Sequence, residues 1–395
     1  MLSKQQKTSQ TTRVALRFPA SIDAQRFLSD YWQRQPLLLP NAMSDELAAL
    51  ESVLTPADLA GLACENDVEA RLITTAGSPG QWQLRHGPFR SQDFQQLPAT
   101  GWTLLVQDVD KYVPEVTALR DQFNFLPSWR IDDVMISYAV PGGSVGAHID
   151  QYDVFLVQGA GNRRWDIGRS NGVLIADAPL RVLEQFEVEQ HWDLTTGDVL
   201  YLPPGIAHHG LSDVACMTVS VGFRAPSAQE LVMGQAEYQA EQVRGRYSDA
   251  GLTLDESDDG LISTAAVERA LALVHETPGQ TSHAVNWFGR LVTENKPWLA
   301  PSHPDSAETK QQFLQRLQDG ENLLRHLAVR MARSEFPGHG LLFVDGVAWS
   351  LTAGSRKLAR PLCRGDLLQN PGDDDALALL YDLYCDSKLY WASDD

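Results

Sequence analysis

Apolar and polar positions change their period twice along this chain. Up to about residue 130, short helical and strand-like runs alternate. Asp23 caps a short helix whose Phe27, Leu28, Tyr31 and Trp32 share one face before Pro36 stops it. Leu37-Leu38-Leu39 reads as a brief buried strand. Thr55-Pro56 reads as a helix start, with threonine as cap and proline in the first turn. Strand-like runs follow at Arg71–Thr74, Gln81–Arg85 and Thr103–Gln107, and a helix at Pro114–Phe123. The polar residues before about 14 read as a mobile tail.

From Val134 to Phe223 the pattern becomes β-rich. Val134–Val140, Val154–Gln158, Arg164–Gly168, Val199–Leu202 and Met217–Phe223 are separated by Gly, Pro and Asp turns. Strands at this density predict a sandwich or barrel, and a jelly roll encloses a site between its two sheets. After Pro226 the pattern turns helical: Ser227 caps a segment reaching Tyr247, Asp255–Gly260 is a loop, and Ala265–Leu273 is a second helix. Three prolines in Pro297–Ser306 mark a boundary. Beyond it, Glu308–Arg333 reads as a helix, Leu341–Leu351 as a hairpin turning at Asp345-Gly346, and Asp375–Tyr384 as a helix. Helix, hairpin and helix fit a small winged-helix-like module.

Composition changes this picture in one respect. Hydrophobic residues at 43% and charged residues at 21% are ordinary for a soluble globular protein, but a formal charge of −19 is not. It argues against nucleic acid as a direct ligand, because phosphate contacts need Lys and Arg. It suits a basic partner, which such a field attracts. The four cysteines, Cys64, Cys216, Cys363 and Cys385, form no CxxC pair, so neither a zinc site nor a disulfide framework is indicated. The start of the chain has no apolar signal region, and no stretch approaches the roughly 18 apolar residues that span a bilayer. These features predict a cytoplasmic protein.

Candidate chemistry sits in the β-rich region. His148-Ile149-Asp150 follows the turn-forming Pro141–Gly146, and a third ligand is offered by His208 or His209 after Pro203-Pro204-Gly205. Residues two apart on a strand share a face, so His148 and Asp150 can chelate together while Ile149 packs away. Two imidazoles and one carboxylate are the facial set of non-haem Fe(II), with positions left for substrate and O2. Neighbours on a strand oppose one another, so only one of His208 and His209 can join. No GxSxG and no P-loop is present, and Gly159-Ala160-Gly161 is a turn rather than a dinucleotide loop.

The segment Ile131–Pro226 resembles JmjC-type Fe(II) and 2-oxoglutarate oxygenases, specifically the bacterial ribosomal oxygenases. The resemblance rests on Asp132–Tyr138, His148–Phe155 and Val221–Pro226, with Phe27–Trp32 and Pro36 similar to that family's first helix. It implies a mainly β catalytic domain with added helices, a double-stranded β-helix over residues 1–226. A helical dimerisation region (227–296) and a winged-helix-like domain (297–395) follow.

The family pattern selects His208, so that His148, Asp150 and His208 hold Fe(II), leaving His209 as a supporting or solvent-facing residue. Arg163 matches the position that pairs with the distal carboxylate of 2-oxoglutarate, and Ser137 lines the same pocket. A guanidinium fork suits a carboxylate and stays charged when enclosed. The implied activity is hydroxylation of a basic ribosomal protein, at the β-carbon of an arginine in large-subunit ribosomal protein number sixteen, by a homodimer. Asp153, Tyr152 and Asp133 are candidates to receive that arginine. Two rivals remain: a non-enzymatic relative that only binds ribosomal protein, and a small-molecule dioxygenase or isomerase on a cupin-like barrel.

Overall fold

The computed structural model describes residues 16–75, 82–242, 244–248, 250, 264–275, 281–301, 308–336 and 339–394. The expected tail and the Asp255–Gly260 loop lie outside them. The chain forms two compact units. One comprises Met1–Ala225 with Lys296–Ser302 and His326–Ala328; the other comprises Pro226–Asn295, His303–Arg325 and Val329–Asp395.

The first unit carries twelve described strands: β1 (Leu37–Leu39), β2 (Ala70–Thr75), β3 (Trp82–His86), β4 (Trp102–Val106), β5 (Ile131–Ala139), β6 (His148–Ile149), β7 (Val154–Ala160), β8 (Arg163–Arg169), β9 (Glu187–Leu194), β10 (Val199–Leu202), β11 (Ala207–Leu211) and β12 (Cys216–Phe223). They build an eight-stranded sheet, ordered β1-β10-β7-β12-β5-β4-β2-β3, and a four-stranded sheet, ordered β6-β11-β8-β9. This is the double-stranded β-helix. Its alternation sorts the side chains. Val134, Ile136, Phe155, Val157, Val199, Tyr201, Val219 and Val221 turn outward into a core shared with the N-terminal helices. Val154, Leu156, Leu200 and Leu202 turn inward against Trp165, Ile167 and Leu194 of the small sheet. Asp133, Ser137 and Thr218 fall on that inner face.

The caps fold as their residue types dictate. Asp23 accepts from the Arg26 N–H at the head of Ala24–Asp30. Thr55 and Asp58 form a reciprocal capping box ahead of Pro56–Leu62. Phe27 is fully buried and meets Tyr201 edge-on at 4.9 Å, a burial that contributes about 2 kcal/mol. One polar anchor sets the position of β5. Strand β4 runs out at Val106, opposite Ile136, which would leave the Val134 N–H unpaired. Asp110 accepts it at 3.0 Å, and Lys111 (2.6 Å) and Arg120 (2.8 Å) hold the same buried carboxylate. Those cations outweigh the cost of burial and keep its pKa down at about 2.

In the second unit, Ser227 caps the helix Ala228–Gln242, and Thr264–His275 and Thr281–Thr293 follow. The first of these stops short of the expected Tyr247. The long helix expected over Glu308–Arg333 is corrected: Lys310–Gln318 is helical, Gly320 at φ +92° ends it, and Leu323–Arg325 and Met331–Phe336 are strands. Met331–Phe336 pairs with His339–Val344, which pairs with Val347–Leu351 through the left-handed Asp345-Gly346 turn. Arg356–Arg364 and Asp374–Cys385, the latter capped by Asp373, complete a winged-helix-like unit around Phe313, Leu342, Leu380 and Trp391. No helix among the described residues is long and apolar enough to cross a membrane.

Candidate active site

Two strands of the small sheet place the histidines. His148 on β6 and His208 on β11 are antiparallel partners, with ring centroids 4.2 Å apart. Asp150 follows β6 by one residue, and its Oδ2 lies 3.9 Å from His148 Nε2 and 3.7 Å from His208 Nε2. One donor atom from each residue falls within 4.8 Å of the others, close enough for a single ion to touch all three. Behind the rings, His148 Nδ1 faces the Gly146 carbonyl at 3.0 Å and His208 Nδ1 faces that of Ile206 at 2.9 Å. A carbonyl only accepts, so each Nδ1 carries the proton and each Nε2 lone pair is free for a metal.

The electrostatics fit a cation at that point. Burial, reinforced by neighbouring His148, holds His208 well below the usual imidazole range, which keeps its ring neutral, the form a metal binds. Burial also raises the Asp150 carboxyl, partly opposed by His148. His209 points elsewhere, its Nε2 3.0 Å from Ser144 Oγ, and burial lowers its pKa as well. The geometry therefore groups His208, and not His209, with His148 and Asp150.

Arg163 opens β8 and is buried, at 4% exposure. Its guanidinium lies over Trp165, with Cζ 4.9 Å from the ring centroid. Long contacts of 3.4 Å join Nη1 to Thr218 Oγ1 and Nη2 to the Gly210 carbonyl, while the buried Nε has no hydrogen-bond partner. Among the described residues no carboxylate pairs with it. Burial pulls its pKa down, opposed by the neighbouring Cys216 thiol, yet a guanidinium stays charged, so the cation has no carboxylate to balance it. Gly210 is required there: a Cβ would stand 2.5 Å from Arg163 Nε. Ser137 is the cross-strand partner of Thr218, which places it on the inner face beside Arg163.

The three candidates for a substrate cation separate. Asp153 is fully buried and committed to Tyr201 Oη (2.7 Å), Gln33 Nε2 (3.0 Å) and Arg130 Nη2 (3.1 Å), so it is structural. Asp133 has a buried Oδ2 with no partner, and burial and then the neighbouring Asp108, Asp132 and Asp110 push its pKa up to about 7. Tyr152 is 42% exposed and hydrogen-bonds Asp150, and its ring and Asp133 both lie beside Gly222. Sequence reasoning passed over Thr218, Trp165 and Gly210. Polar residues at every second position of Met217–Gly222, within an otherwise apolar strand, were the signal for Thr218.

Comparison with known proteins follows from this geometry. A JmjC domain profile matches residues 118–231. The ribosomal protein uL16 3-hydroxylase of Escherichia coli is 36% identical over 78% of this chain and 81% of its own length. A probable ribosomal oxygenase of Haemophilus influenzae is 39% identical over 55% of this chain and 53% of its own. Among solved structures, E. coli YcfD, a ribosomal oxygenase in complex with cobalt and 2-oxoglutarate, aligns with a TM-score of 0.79 and 31% identity, covering 96% of this chain and 99% of that one. Another E. coli YcfD structure aligns at 0.81.

Proposed function

This chain belongs to the JmjC-domain ribosomal oxygenases, and from that membership we propose that it hydroxylates the β-carbon of an arginine in ribosomal protein uL16, using Fe(II), 2-oxoglutarate and O2. One observation carries this reading: the buried Arg163 guanidinium pairs with no carboxylate among the described residues and lies over Trp165, whose ring centroid is 5.8 Å from that of His208 in the His148, Asp150 and His208 cluster. A generic metal site needs no such cation; a dicarboxylate cosubstrate does.

Each residue then has a task. His148, Asp150 and His208 hold the metal on one face and leave the other to ligands. Arg163, with the hydroxyls of Ser137 and Thr218, receives the distal carboxylate of 2-oxoglutarate. Fe(II) with 2-oxoglutarate and O2 supplies the oxidant that replaces a C–H hydrogen by hydroxyl, as the cosubstrate becomes succinate and CO2. Trp165 and the Val154, Leu156 and Leu200 side chains keep water from that space. Asp133 and Tyr152 receive the target guanidinium, the carboxylate by charge and the ring by its face.

The net charge of −19 supports a basic protein partner and no direct nucleic acid ligand. Exposed Val232 and Met233 on Ala228–Gln242, with Val267 and Leu271 on Thr264–His275, support burial of these helices in a homodimer. A ribosomal substrate supports a cytoplasmic location. The test is incubation with Fe(II), 2-oxoglutarate and a uL16 peptide containing the arginine. The expected result is succinate together with a peptide heavier by one oxygen. Absence of both would leave only a binding module.

A further inference from the structure

His209 is the residue the metal cluster leaves out, and it is built into the wall behind that cluster. Its Nε2 lies 3.0 Å from Ser144 Oγ. Ser144 is itself buried and donates its hydroxyl proton to the Gly210 carbonyl at 2.9 Å. With that proton committed, Ser144 Oγ accepts from the Gly146 N–H at 3.1 Å, and the histidine can only donate to it. The neutral ring therefore carries its proton on Nε2. Gly146 closes the chain from its other side, because its carbonyl, in the next peptide plane, accepts from His148 Nδ1 at 3.0 Å.

Two further observations show that this turn needs holding, and a third that His209 is itself held. Gly146 sits at φ +83°, a conformation only glycine adopts freely, and a Cβ there would stand 2.7 Å from Val182. Strand β6 is two residues long, so its ladder does little to fix the imidazole. The ring of Phe186 packs edge-on to His209, with centroids 6.5 Å apart, which keeps the imidazole in place.

We propose that His209 is a positioning residue for the metal centre: through Ser144 and the Gly146 backbone it fixes the orientation of the His148 ring. The inference rests on the reading of His148, Asp150 and His208 as ligands. It acts on metal affinity before it acts on turnover, because a ligand whose ring can rotate loses its pre-organised bond direction.

Cobalt(II) titration of the metal-free protein, followed by visible absorption, tests it without turnover. His209→Phe keeps a ring against Phe186 and removes the donor; His209→Gln keeps a donor. The proposal expects His209→Phe to weaken cobalt(II) binding about 10-fold or more, and His209→Gln to restore it to within a few-fold. Ser144→Ala should weaken binding similarly, and the Ser144→Ala, His209→Phe double variant no further than either alone, since both break one chain. Thermal melts establish that each variant is folded. Cobalt(II) affinity unchanged in folded His209→Phe would overturn the proposal, as would fully additive effects of the two substitutions. Wild-type protein that binds cobalt(II) no better than His148→Ala would overturn the ligand reading and this inference with it.

Discussion

Two sets of buried charges sit against β5 in the same unit, and they differ in one respect. Around Asp110, every charge is answered: Oδ2 by Lys111 and Arg120, Oδ1 by the Val134 N–H, and Arg120 also by Asp121 at 2.9 Å. Around Ser137, Arg163 has a buried Nε without a partner, and at the opposite end of the strand Asp133 has a buried Oδ2 without one. A completed cluster stabilises a fold, whereas an incomplete one costs stability until a ligand arrives. Opposite deficits fit opposite ends of the chemistry, an anionic cosubstrate at Arg163 and a cationic side chain at Asp133.

The contrast breaks most visibly at Asp110. Asp110→Asn leaves two cations underpaired in the interior and should cost about 3–5 kcal/mol of stability in urea unfolding. Its pH dependence has a fixed sign. The native pKa, about 2, lies below that of an unfolded aspartate, about 3.9. The stabilisation is therefore complete above about pH 4 and lost as pH falls through 2. The gap between wild type and variant should close over that window and nowhere else.

Arg163 should behave the other way round. Arg163→Met, similar in length, should leave stability within about 1 kcal/mol while raising the KM for 2-oxoglutarate some 30-fold, the equivalent of about 2 kcal/mol for a charged hydrogen bond. Full activity and unchanged cosubstrate affinity would favour a cupin that uses no dicarboxylate. Asp133 predicts a smaller effect with its own pH signature. It is a neutral acid below pH 7 and a carboxylate above, so kcat/KM for an arginine peptide should rise between pH 6 and pH 8. Asp133→Asn should lower it about 10-fold at pH 8 and flatten that rise, an effect within the range of one charged hydrogen bond. Ser137→Ala is the mildest test: loss of one hydroxyl should raise the 2-oxoglutarate KM about 5-fold, near 1 kcal/mol.

Much of the arrangement was legible in the residues. The short apolar runs between Gly, Pro and Asp turns marked β5, β7, β10 and β12 as strands, and HxD spacing gave two donors on one face. Other elements left no such trace. Glu187–Leu194 is an exposed edge strand, so burial imposed no alternation on it, and β6 is too short to have a period. The helix expected through Glu308–Arg333 failed because Gly320 was passed over as a stop. The choice of His208 over His209 came from the family pattern, and only the fold supplies its physical reason, since register with His148 decides which ring turns inward. Asp153 had the right chemistry for an arginine partner but is spent on Tyr201, Gln33 and Arg130, contacts between residues far apart in the chain.

The most direct test of the central claim is intact-mass measurement of ribosomal proteins from cells with the protein, without it, and with His148→Ala in its place. The account predicts that uL16 carries one extra oxygen only in the first case. Identical uL16 masses in all three would contradict it.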